Sequence, residues 1–215
     1  MKNRVYLIIF ASIILIAAFV GASKLYQSNV TKELEFVAKT DFSKFVPDYA
    51  PRLGATDPEV YLVEFLDPEC ESCREFYPMV KMLLNEFEGK IQLVVRYAPF
   101  HGNSKFIIKA LEAARKQGKY WEALEILFQH QPEWGSHHNP RPELIWEYLP
   151  KVGLDINKLK TDMEDPAIDE MIQREIQDGR ELGVRGTPSF FVNGKPLERF
   201  GYDYLRVLIK ENLKK

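Results

Sequence analysis

The hydrophobic pattern changes period along the chain, and each change marks an element. Residues Val5 to Ala22 are almost continuously apolar, with Lys2 and Arg4 before them and Lys24 after. A run of that length without a polar face exceeds the apolar part of an ordinary export signal and approaches the ~20 residues that a helix needs to cross a bilayer. The basic residues ahead of it predict a cytoplasmic N-terminus, with the rest of the chain outside. Retention as a tether to the inner membrane is the favoured expectation. Val20-Gly21-Ala22 before Ser23 also satisfies the small-residue rule for cleavage, so a cleaved, soluble periplasmic product is the alternative. From Ser23 to Asp57 the apolar positions are intermittent, at Leu34, Phe36, Val37, Phe42, Phe45 and Val46, and Pro47, Pro51 and Pro58 punctuate the end. This reads as one or two short amphipathic helices and then an irregular approach to the core.

Val60 to Leu66 is a β-branched and aromatic run and predicts a strand. Beyond it Phe76, Val80, Leu83, Leu84 and Phe87 fall at helical spacing, and Ile91 to Tyr97 is apolar again. Strand, helix and strand in quick succession form a β-α-β unit with a parallel pair, and the near-continuous apolar character of the second strand suits burial on both faces. Pro78 lies inside the helical pattern and predicts a kink. A long stretch without a convincing strand follows. Phe106, Ile107, Ala110, Ala113 and Ala114 form one helical stripe, and Trp121, Leu124, Leu127 and Phe128 belong to another. A further helix is expected from Pro140 and Pro142 through Leu149, and Asp155 and Asp165 precede two more. Ser189 to Val192, Asn193-Gly194 and Lys195 to Leu197 predict a hairpin, and Leu205, Leu208, Ile209 and Leu213 a closing helix. The expected architecture is α/β, a mixed central sheet interrupted by an α-helical insertion and preceded by an N-terminal hydrophobic helix. Its divisions are a signal peptide or anchor at 1–23, a linker or amphipathic helical region at 24–58, the core at 59–100 and 181–215, and the helical subdomain at 101–180.

A net charge of −2 offers no argument for nucleic acid. The candidate chemistry rests on the only two cysteines, Cys70 and Cys73, at the junction of the first strand and its helix. A cysteine at a helix start meets free N–H groups and the positive end of the dipole, so Cys70 is the expected thiolate, with Cys73 one turn deeper as the resolving partner. An inert bridge or half of a zinc site is the bland reading, but zinc wants four ligands and no second Cys or Cys/His pair is suitably spaced. Glu64 stands in the middle of an otherwise apolar strand. It either faces solvent or titrates high beneath the sulfurs, where it would relay the proton of the resolving thiol. Thr187-Pro188 precedes the apolar run at 190–192, and Pro188 is a candidate cis proline whose neighbouring backbone would pair with a substrate chain. His101, His130, His137 and His138 read first as ordinary loop or surface histidines, although His101 follows the second strand in a region able to approach the sulfurs. The tryptophans read as core or loop anchors.

The strand ending in Glu64-Phe65, the turn Cys70-Glu71-Ser72-Cys73, Pro78 five residues later, and Gly186-Thr187-Pro188-Ser189-Phe190-Phe191-Val192-Asn193-Gly194 together resemble the DsbA-like branch of the thioredoxin superfamily. Ala110 to Ala114 and Gln117 to Glu122 are similar to that branch's inserted helical domain, and the resemblance covers residues 52 to 215. It implies a thioredoxin fold, a bacterial cell-envelope location and thiol-disulfide exchange, with Cys70 as nucleophile, Cys73 resolving, Pro188 cis, Thr187 and Pro188 contacting substrate, and Glu64 as the buried acid. No cofactor is implied, since electrons come from a partner dithiol or disulfide. The expected partners are cysteine-containing exported proteins, a redox partner that resets the cysteines, and the membrane through residues 5–22. Glu71 places negative charge near Cys70 and should raise its pKa relative to a turn carrying histidine. With Thr187, this predicts a moderate oxidant or an isomerase or reductase. The reading from a different class is a non-catalytic envelope chaperone, assembly factor or metal carrier with a structural Cys70–Cys73 disulfide.

Overall fold

The computed structural model describes residues 2–136 and 138–213. A single helix, α1 (Lys2–Thr40), carries the apolar run straight into the mixed segment, where one or two separate short helices were expected. The reason is local. No proline interrupts residues 2–40, and the single Gly21 costs a helix only about 1 kcal/mol. Within Ile9–Thr40 an 18-residue stretch has a mean hydropathy of 2.0 and is wholly unburied. By length and composition it can cross a bilayer. Farther along, α1 turns Leu34 into the body of the protein, with Val30, Val37 and Ala38 beside it.

The sheet runs β1 (Arg52–Gly54), β3 (Ile91–Tyr97), β2 (Val60–Leu66), β4 (Ser189–Val192), β5 (Lys195–Pro196). The pair β2 and β3 is parallel and the other neighbours are antiparallel. The edge strand β1 replaces the irregular approach that the sequence predicts, because three residues are too few to display a period of two; pairing with β3 alone makes them a strand. Both faces are covered, which accounts for the unbroken apolar runs. Val60, Leu62 and Leu66 face a cluster containing α2 (Glu71–Glu86) and α9 (Tyr202–Asn212), whereas Val63 and Phe65 face Leu34, Phe45, Leu182 and Val184.

Between β3 and β4 lie α3 (Ser104–Lys116), α4 (Tyr120–Gln129), α5 (Gln131–Trp134), α6 (Ile145–Tyr148), α7 (Ile156–Asp162) and α8 (Pro166–Glu181). Asp155 and Asp165 cap α7 and α8, accepting from the N–H groups of Lys158 and Ala167 at 3.0 Å. Around Pro142 and Pro150 the helix expected through Leu149 is instead one α turn between two 3₁₀ segments.

The β4–β5 turn requires glycine. Asn193 and Gly194 sit at φ 49° and 84°, the left-handed pair of a tight hairpin. A Cβ at Gly194 would also overlap the Ala38 side chain on α1. Gly194→Ala is therefore expected to lower stability by about 1–3 kcal/mol and to lift α1 from the hairpin. Urea titration, together with faster proteolysis around residue 38, checks it.

Candidate active site

Cys70 occupies the cap position of α2 in extended conformation, at φ −75° and ψ 121°. Its N–H donates to the Asp67 carbonyl at 3.0 Å, which folds the turn tightly onto the end of β2. Sheet register brings the second half of the site to it. Phe65 lies opposite Ser189 and Glu64 opposite Phe190, so Thr187 and Pro188 emerge just past the C-terminal end of β2, where α2 begins. The Thr187–Pro188 bond is cis, and Cys70 Sγ stands 3.3 Å from the Thr187 carbonyl oxygen, 117 residues away in the chain. Neither cysteine is in a disulfide. Cys70 keeps 7 % of its surface accessible and Cys73 none, so only the first sulfur can meet another protein.

The electrostatics divide the two sulfurs. Cys70 is pulled down to about 5, chiefly because the Cys73 thiol donates to its thiolate; burial opposes this, and Thr187 and the N–H groups of Cys73 and Ser72 assist. Glu71, expected to push the other way, is not among these leading influences. Cys73 is pushed far up by burial, by its hydrogen bond to Cys70 and by the charge of Glu64. Glu64 shares the face of Leu62 and Leu66, beneath α2, and is fully buried. Neither of its carboxylate oxygens has a hydrogen-bond partner. Burial, then the Cys70 charge, raises it to about 8, so it is a neutral carboxylic acid at pH 7.

The sequence profile of the family described as Thioredoxin matches residues 48–211. This chain belongs to the thioredoxin family. The thioredoxin-family domain is 33 % identical over 173 residues to a probable disulfide bond formation protein D of Bacillus cereus, covering 76 % of this chain and 78 % of that protein. It is also 33 % identical over 150 residues to a Na⁺/H⁺ antiporter NhaA of Herminiimonas arsenicoxydans, covering 70 % of this chain; the chain spans only 23 % of that relative's length. Among solved structures, a thioredoxin-like oxidoreductase from Silicibacter pomeroyi superposes with a TM-score of 0.70 at 30 % identity, covering 80 % of this chain and 96 % of the other.

In this thioredoxin-family protein the helical insertion also reaches the cysteine turn, which the sequence did not reveal. Gln131, at the start of α5, donates from Nε2 to the carbonyls of Pro68 and Cys70 at 2.9 and 3.0 Å. Glu69 accepts from the N–H and the Nδ2 of Asn103 at 2.7 and 2.9 Å. For Gln131 no local signal exists. For Asp67 one does: its Oδ1 accepts the Glu69 N–H at 2.9 Å, the two-residue turn that an Asp before proline favours. His130 is occupied by Glu133 and stacks on Tyr148. His137 lies outside the described residues. Trp134 is a core anchor whose Nε1 donates to the Leu127 carbonyl at 2.8 Å. Among the described residues no three His, Cys, Asp or Glu side chains converge as a metal site.

Proposed function

We propose that the chain is a thiol-disulfide oxidoreductase acting through Cys70. The observation that carries this reading is a partly accessible sulfur at the start of α2, one helical turn from a sealed one and touching the backbone beside a cis proline; the lowered pKa of the first and the raised pKa of the second accord with it. Names among the relatives and solved structures, disulfide bond formation protein and thioredoxin-like oxidoreductase, support it. In the oxidising direction a client thiolate attacks Cys70 Sγ. A Cys70–client disulfide forms, the Cys70–Cys73 bond breaks, and Cys73 leaves as a thiolate that takes a proton from Glu64. The client's second thiolate then attacks the client sulfur, and Cys70 departs as a thiolate. Two electrons have passed from client to protein, and a partner disulfide removes them while Glu64 regains its proton. The backbone around Thr187 and Pro188 pairs with the extended client segment. We place the domain outside the cytoplasmic membrane, tethered by α1, with exported cysteine-containing proteins as clients.

A thiolate that is stabilised relative to its disulfide makes the disulfide oxidising. With Cys70 at about 5, between about 7 for thioredoxin and about 3.5 for DsbA, the expected potential lies between about −270 and −120 mV. This favours a moderate oxidant over a reductase. Mixing the disulfide form with a reduced dithiol peptide tests the function, and glutathione equilibration tests the direction. Absence of electron transfer overturns the first, and a potential below the thioredoxin range overturns the second.

Glu64→Gln is expected to slow formation of the mixed disulfide, the step in which Cys73 leaves and takes a proton, while stabilising the fold. The carboxyl pKa rises from 4.5 to about 8 on folding, so the unfolded chain ionises first. The native state is penalised progressively from pH 4.5 upward, until the folded carboxyl also ionises near pH 8. Glutamine does not titrate and escapes that penalty. A stability difference between the two chains that stays flat from pH 5 to 8 contradicts this placement of Glu64.

A further inference from the structure

Asp67 is fully buried, and its carboxylate joins two loops. Oδ1 holds the cysteine turn through the Glu69 N–H. On the other side Oδ2 accepts the N–H groups of Phe100 and His101 at 2.7 and 3.2 Å, and His101 Nδ1 lies 2.8 Å from it. The Asp67 carbonyl meanwhile receives the Cys70 N–H. One residue thus connects an imidazole to the exchanging turn, and no step of the exchange above uses it. The His101 side chain is 25 % exposed, enough to trade protons with solvent.

We propose that His101, locked to Asp67 through Nδ1, is a positioning residue whose charge, when the ring is protonated, acts on the Cys70 thiolate across the Asp67 bracket and sets how readily Cys70 leaves a mixed disulfide. The proposal rests on Cys70 being the exchanging sulfur. The groups that act on the ring come from both loops. Burial by itself would lower its pKa, but the hydrogen bond and charge of Asp67, followed by the charges of Cys70 and Glu69, outweigh burial and raise it. Glu69 is already committed to Asn103. Of these anions only Cys70 gains and loses its charge in the exchange cycle: it is neutral in any disulfide and anionic when released. Linkage is reciprocal, so a thiolate that strengthens proton binding by the ring is itself stabilised to the same extent by the charged ring. No atom is transferred between them.

Two measurements on the full-length chain in detergent decide the matter. In the wild type, NMR titration of the His101 ring is expected to show protonation at higher pH in the dithiol form than in the disulfide form. Identical midpoints overturn the proposal, and this comparison needs no variant to fold. His101→Asn retains an N–H donor for Asp67 and removes the charge. Alkylation of Cys70 against pH is then expected to show a raised midpoint, with thiolate below that midpoint reduced on the order of threefold to tenfold. Equilibration with glutathione should shift toward the disulfide by the same factor. Wild-type values in His101→Asn would mean that the ring is only a hydrogen-bonded bracket. Because these readouts are a midpoint and an equilibrium, they fail separately from the client-exchange assay.

Discussion

A full-length chain carrying Cys73→Ala is expected to accumulate as a covalent adduct with client protein, whereas Cys70→Ser abolishes exchange altogether. Access and charge separate the two sulfurs. Cys70 is ionised above about pH 5 and is the sulfur with exposed surface, so under the proposed exchange its thiolate attacks a client disulfide, forms the mixed disulfide and expels a client thiolate. Release normally requires a second sulfur within reach, and Cys73 lies one helical turn away. With alanine there the adduct has no intramolecular exit. A serine at residue 70 can form no disulfide, and the sealed Cys73 cannot substitute for it. Non-reducing electrophoresis and mass spectrometry of the trapped species check the first variant and name the client. An insulin-reduction assay checks the second. Turnover by Cys70→Ser equal to wild type would remove the reading of an enzyme acting through Cys70, and no turnover by the wild type would leave a binding module with a structural bridge.

The second large effect concerns the fold. Arg96→Met is expected to destabilise the protein by about 3–5 kcal/mol, because it leaves the buried Glu175 and the partly buried Asp178 without their cation. Arg96 lies on β3 and is fully buried. Its Nε donates to both Glu175 oxygens at 2.8 Å, its Nη2 to Asp178 at 2.7 Å and its Nη1 to the Lys44 carbonyl. Glu175 also accepts the Tyr97 N–H at 2.8 Å. This network ties the sheet, α8 and the segment following α1 together. Replacing Arg96, Glu175 and Asp178 together by apolar residues of matched volume should be far milder, since a buried ion pair contributes little net stability even though each half alone is intolerable. Urea denaturation of the single and triple variants measures both. A single-variant loss under about 1 kcal/mol would show that water or a neighbouring cation compensates the acids.

How much of this could be read without coordinates differs from residue to residue. The strand–helix junction at Cys70 was legible because period two gives way to helical spacing within a few residues of it, and a helix start has the same donors wherever it occurs. The hairpin at Asn193-Gly194 was legible because left-handed backbone restricts residue choice. Asp155 and Asp165 announced their helices as caps. Glu64 was ambiguous, since alternation says that a strand residue faces one side or the other but not which side is covered. The continuity of α1, the three-residue β1 and the Gln131 contacts left no local pattern, and for His101 the chain order gave its place beside the sulfurs but not its partner.

By itself the amino-acid order determined most of the local elements, the candidate pair of sulfurs and the family resemblance, because periodicity, capping and turn preferences are satisfied by near neighbours in the chain. Tertiary structure alone decided that Glu64 is buried beneath α2, that Thr187 lies against Cys70, and that Asp67 holds His101 beside the turn. Those contacts depend on strand register and on desolvation summed over residues far apart in sequence, and no short window of residues contains either quantity.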